Sequence, residues 1–177
     1  TLNMNMYIEH KLLPQPISPD RKKQIGQVGT QDEVDAFRKV LGSLVWVCTR
    51  VAVAASYECS FLASCTLQLK VEHIVRINKT VNELRRFPPK IFLPRLANKP
   101  FKIVGICDAG ENELTNGWPK GQEGKLVLIC EDGPPLAHVQ CCLLSHKSAK
   151  LKRVVVSSLG GENLAAVDIL DDLMLTK

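Results

Sequence analysis

Asp108 and Glu162 are the residues whose types and spacing point most directly to chemistry. Asp108 closes the apolar run that starts at Phe101 (FKIVGICD), and Glu162 follows 54 positions later, in a stretch with apolar residues at helical spacing. A carboxylate at the carboxyl end of a strand and a second one on a packed helix can share a hard divalent cation, which takes oxygen donors. Ligands in sheets flanked by helices gather at that end of the strands. Each residue also has a plainer reading: Asp108 as a turn former, and Glu162 as an acid favoured by the N-terminal end of a helix dipole. Asp168 lies about 240° around a straight helix from Glu162, so it does not join the same ion. Asp168, Asp171 and Asp172 are therefore expected to be solvated. Lys147, Lys150, Lys152 and Arg153 form a basic stretch with no acid among them, suited to phosphate contacts more than to base reading. His146 beside Lys147 is either a base or plain surface.

The elements that would position these residues can be read along the chain. Residues 1–29 carry a short apolar segment, then Pro14, Pro16 and Pro19, the basic run Arg21 to Lys23 and two glycines, the pattern of an extended arm or linker. Thr30 followed by Glu33 is a capping-box pattern. Val34, Phe37, Val40, Leu41, Leu44 and Val45 then predict a helix to about Cys48. Further helices are expected over 52–67 and over 71–86, the latter stopped by Pro88 and Pro89. From there the pattern predicts strands over 91–96, 101–108, 125–130 and 137–144. Both faces of the 101–108 run are apolar, which predicts a central strand covered on both sides. The basic stretch reads as a loop leading through Ser157 and Ser158, candidate N-caps, into a last helix. Glu162, Ala166, Ile169 and Leu173 share one stripe of that helix, so Glu162 is expected to face the sheet.

Composition sets the bounds. With 177 residues, 45% of them apolar, the chain can build a core for one domain or two small ones. The net charge of +5 is uneven: residues 1–100 hold 15 basic against 8 acidic side chains, and 101–177 hold 8 against 10. That suits a polyanion clamp beside an acidic metal site, or simply a lopsided solvated surface. Seven cysteines without C-x-x-C spacing read as small buried hydrophobes in a reducing compartment; Cys141 and Cys142 are adjacent on a strand and make a poor chelate. No apolar stretch is long enough to span a bilayer, because Arg50 and Glu58 interrupt the longest. The N-terminus has no signal-peptide pattern, and a start at Thr1 suggests a piece of something longer.

Several motifs, in a fixed order, carry a family resemblance. They are the stretch from Phe37 to Arg50 (FRKVLGSLVWVCTR), the triplet Cys107 to Ala109 (CDA), Ser145 to Ser148 (SHKS) and Val156 to Ala165 (VSSLGGENLA). Together they resemble the end of the reverse transcriptase and the start of the ribonuclease H domain of a copia-type retrotransposon polyprotein. The resemblance implies an α+β chain: a helical connection segment over 30–89, then a partial ribonuclease H-like fold over 90–177, an antiparallel three-stranded sheet packed by a C-terminal helix. It implies hydrolysis of the RNA strand of RNA/DNA hybrids by two-metal catalysis. Asp108 would bridge both Mg²⁺ (or Mn²⁺) ions, Glu162 would bind one, and Lys147, Lys150, Lys152 and Arg153 would hold the hybrid backbone. The implied partners are the hybrid and the rest of the polyprotein, with no membrane, in an intracellular setting, cytoplasmic and particle-associated or nuclear. The chain departs from the family at Val51 and Ala52, where Pro-Asp is usual, at His146 in place of Trp, and at Gly160 and Gly161 before Glu162. It also stops at Lys177, ahead of the later strand and helix that supply the other metal carboxylates. Little or no nuclease activity is therefore expected of the chain alone, and the alternative is a non-catalytic nucleic-acid-binding or scaffolding domain.

Overall fold

The computed structural model describes residues 1–96, 100–110, 121–132, 139–151 and 158–175. They combine helices with a three-stranded antiparallel sheet, an α+β composition. The chain divides into two compact units, Leu2–Lys90 and Ile91–Lys177.

The first unit begins with a short strand β1 (Leu2–Asn3) and helices α1 (Asn5–His10), α2 (Pro19–Lys22) and α3 (Gln31–Arg50). Thr30 and Glu33 make the expected capping box, and α3 buries Phe37, Leu41, Leu44, Val47 and Cys48. The helix runs two residues past Cys48. The stretch 52–67 is not one helix. It is a 3-10 turn (Val53–Ala55), helix α4 (Ser56–Ser64) and a second 3-10 turn (Thr66–Gln68). The Ser64 and Thr66 hydroxyls donate back to the carbonyls of Phe61 and Ala63, a local bond that competes with the helical ladder and ends it. Helix α5 (Val71–Arg86) lays Val71, Ile74, Ile77 and Val81 into the same core. Buried His73 accepts the Lys70 N–H on Nδ1, which caps the start of α5 from three residues inside. Burial pushes the His73 pKa down.

Residues 1–29 do not form an extended arm. Ile8 and Leu12 are buried in the core of this unit. The Arg85 guanidinium donates to the carbonyls of Ile8, Glu9 and Leu12, where α1 ends and its last carbonyls need donors. The Asn78 amide accepts from the Gln15 N–H at 2.7 Å and donates to the Gln15 carbonyl at 2.8 Å. Arg21 forks onto Glu33. Prolines made this segment look like a linker, whereas polar side chains far along the sequence hold it in place.

At the boundary between the units, the expected strand over 91–96 is confined to β2 (Lys90–Ile91), and Pro94 lies outside it. Strands β3 (Phe101–Gly110), β4 (Gln122–Glu131) and β5 (Cys141–Lys150) form the sheet in that order, and α6 (Ser158–Leu175) packs on it. This corrects two expectations. The central strand is β4, not β3, and no residue of β3 is fully buried. The run is apolar at its centre, with Lys102 and Asp108 near its ends on one face, and covering that face would take another layer. Lys147 and Lys150 sit within β5 rather than in a loop, as charges can on a strand that ends a sheet. Lys152, Arg153 and the candidate cap Ser157 lie outside the described residues.

The approach of α6 is set by Gly105. A Cβ there would lie 2.9 Å from Ile169 Cγ1 and 2.9 Å from Leu173 Cδ1, closer than real contacts allow, so only glycine lets the helix sit this near β3. The odd-numbered residues of β3 therefore face α6. Their direct partners Glu123, Lys125 and Val127 share that face. The core here is thin: Val127, Cys130, Leu151, Ala165 and Ile169 are the buried apolar residues among those described.

Candidate metal and nucleic-acid site

Glu162 extends from the second turn of α6 to the carboxyl end of β3. Its Oε1 accepts the Ala109 N–H in a long contact of 3.5 Å. Two expected residues thus come to one strand end, since Asp108 precedes Ala109. They reach it from different sides. Asp108 is one of the even-numbered residues of β3, most of which are exposed, so its side chain leaves the face opposite α6. Its cross-strand partner is Gly124, which adds no side chain to that face.

The α6 face holds a charge cluster that the sequence reading missed. Lys125, only 7% exposed, points from β4 to Asp172 Oδ2 at 2.7 Å and Asp168 Oδ2 at 3.5 Å. Lys147 pairs with buried Glu123 at 3.1 Å and with Asp168 at 3.7 Å. Asp168 and Asp172 are thus half-buried partners of lysines and not solvated surface. Burial draws the Lys125 pKa down, but the hydrogen bond to Asp172 and the charges of Asp172, Asp168 and Glu123 outweigh it, and the net shift is upward. The signal was present in the sequence. Lys125 is two residues from Val127 and so shares its inward face, and Asp168 and Asp172 are one helical turn apart, the spacing at which two acids can share one cation.

This cluster bears on the basic stretch. Lys147 is committed to Glu123 and Asp168, Lys150 is exposed, and Lys152 and Arg153 are outside the described residues. Among the described residues, no group of three or more His, Cys, Asp or Glu side chains is placed to hold a metal ion. In the first unit, a cavity of about 590 Å³ lies between Ala54, Glu58, Arg76 and Thr80. The Arg76 guanidinium in its wall pairs with Glu58 and stacks 4.0 Å from the Phe61 ring centroid. No helix among the described residues is long and apolar enough to cross a membrane.

No protein-family model, characterised protein or solved structure matches the chain. The functional reading therefore rests on the residues themselves. Glu162 and Asp108 each offer oxygen donors of the kind a hard cation takes, at one strand end but from opposite faces of β3.

Proposed function

We propose that the chain is a fragment of a copia-type retrotransposon reverse transcriptase and ribonuclease H, whose parent activity is hydrolysis of RNA in RNA/DNA hybrids. The observation that supports this most is the convergence of Glu162 on the Ala109 N–H, beside Asp108. Asp108 and Glu162 would hold Mg²⁺ or Mn²⁺, and the bound ions would polarise the phosphate and activate water. The chain's own residues would orient substrate: Lys150 by charge on the hybrid backbone, and α6 by fixing Glu162 over the strand end. With two carboxylates for the ions, the chain alone has little or no nuclease activity in this reading.

A specific observation favours the second reading, a non-catalytic nucleic-acid-binding or scaffolding domain of ribonuclease H-like fold. The remaining acids of the α6 face, Glu123, Asp168 and Asp172, are each paired with Lys125 or Lys147, so three carboxylates against two ammonium groups leave a net charge of only −1 to attract a metal. Incubating the full chain with a labelled RNA/DNA hybrid over a Mg²⁺ series separates the two. Slow cleavage that disappears in Asp108→Asn supports the nuclease reading, and robust turnover that survives Asp108→Asn defeats the metal assignment. Salt-sensitive binding with no cleavage at any Mg²⁺ concentration supports the non-catalytic one.

A further inference from the structure

The exposed edge of β3 is the feature of the second unit that its fold leaves unexplained. Among the described residues β3 has one strand neighbour, β4, so along its ten residues every second one turns its backbone donor and acceptor to the other edge, where the Ala109 N–H meets Glu162. An edge this long is a template for pairing unless charge, proline or a bulge blunts it. The β3 sequence has no proline, its pairing with β4 runs without a register shift, and its only charged residues are Lys102 and Asp108.

We infer that this edge is a homodimer interface, with β3 pairing antiparallel to β3 of a second copy about a two-fold axis at Gly105. The occupant is identified by charge. Centring the pairing on Gly105 sets Lys102 directly opposite Asp108 of the other copy, twice by symmetry, on the face away from α6. Between these pairs Val104 meets Ile106, so the apolar strip of that face continues across the junction. Opposed charges and β-branched pairs are the cross-strand combinations that stabilise a sheet, and a self-complementary patch is what a two-fold interface requires. Lys102 already reaches Asp132 at 3.4 Å, yet remains about half exposed, so its ammonium has room for a second carboxylate.

Helix α6 independently points the same way. At about 100° per residue, the order around α6 is Asp172 toward Lys125, then Ile169 and Leu173 over Gly105, then Leu159, Leu170 and Met174. The last three are each more than half exposed and lie on the side of the free edge. A helix that is apolar beyond its packed stripe is built to be covered. The same two-fold at Gly105 sets α6 antiparallel to its symmetry mate on one side of the joined sheet, with this stripe turned toward the mate. One symmetry operation thus pairs the strand edge and both charges and turns the outer stripe toward a copy of itself. The inference does not rest on the nuclease reading, but it engages the same Asp108 carboxylate, so a metal ion there would compete with the pairing and the test is run without divalent metal.

Sedimentation equilibrium of the full chain in EDTA tests it, with far-UV circular dichroism to show that each variant keeps its fold. The wild type should run at twice the 19.6 kDa chain mass. Lys102→Asp should weaken association at least about tenfold, because it sets like charges opposite each other. Adding Asp108→Lys to that variant should restore the dimer with its charges exchanged. Leu170→Glu, on a residue already exposed, should weaken it from the helix side. A wild type that stays monomeric to about 100 µM means that something other than a second copy covers this edge. A dimer indifferent to both Lys102→Asp and Leu170→Glu means that another surface mediates it. Either result overturns the inference.

Discussion

Lys125 shows how a single residue organises the sheet-facing side of α6. Its ammonium is taken almost wholly out of solvent and returned to charge balance by Asp168 and Asp172, with Glu123 and Lys147 alongside. Removing one member of a buried pair leaves the others uncompensated, and the penalty is discounted here because the aspartates keep some solvent. Lys125→Met should therefore lower stability by about 2 kcal/mol, read from the urea midpoint of the full chain. A loss below about 0.5 kcal/mol, the level of an ordinary surface change, would mean that the cluster contributes no net stability. The expected pair Asp108 and Glu162 was legible because each ends or marks an element. Their departure from opposite sides of β3 was not, because face depends on which residue of the strand the helix chooses to cover, and Gly105 makes that choice.

At the scale of elements, the start of α3 was the most legible part of the chain. Thr30 and Glu33 are a local pattern, and the structure forms it as written. What the pattern omits is Arg21, whose hydrogen bonds, together with the Thr30 N–H and against the opposing effect of partial burial, bring the Glu33 pKa down to about 2. A carboxylate depressed on folding stabilises above its unfolded value, about 4.3, and loses that contribution as pH falls toward the folded value. Glu33→Gln keeps the capping geometry but removes the charge. Its urea midpoint should fall below that of the wild type by a constant amount at pH 6 to 7. The gap should close between about pH 4.3 and 2, and a gap that persists below pH 2 would assign the effect to packing. Elements bounded by distant partners were read less well. The 52–67 stretch has helical composition, yet its hydroxyls end the helix early, and β5 takes lysines that composition assigned to a loop.

For the whole molecule, the two units differ in how much apolar surface they remove from water. The first buries large side chains from every long helix, among them Phe37, Leu44, Leu62, Ile74 and Ile77, while the second buries few. Stability follows buried apolar area, so amide hydrogen exchange should be slowest in α3 and α5. Exchange in β3 should be fast when the chain is dilute and should slow at concentrations where dimers form. Equal protection of β3 and α5 in dilute solution would contradict this ranking. The sequence by itself determined where most helices and strands lie, and that their order is helical first and sheet second. Those features follow from local periodicity, capping patterns and breakers, all within reach of a few neighbouring residues. Only the tertiary structure decided that residues 2–22 are packed, that β4 and not β3 is central, and that Asp168 and Asp172 serve Lys125. Each of these depends on side chains from separate elements meeting to satisfy a buried charge or backbone group, and that condition acts through space rather than along the chain.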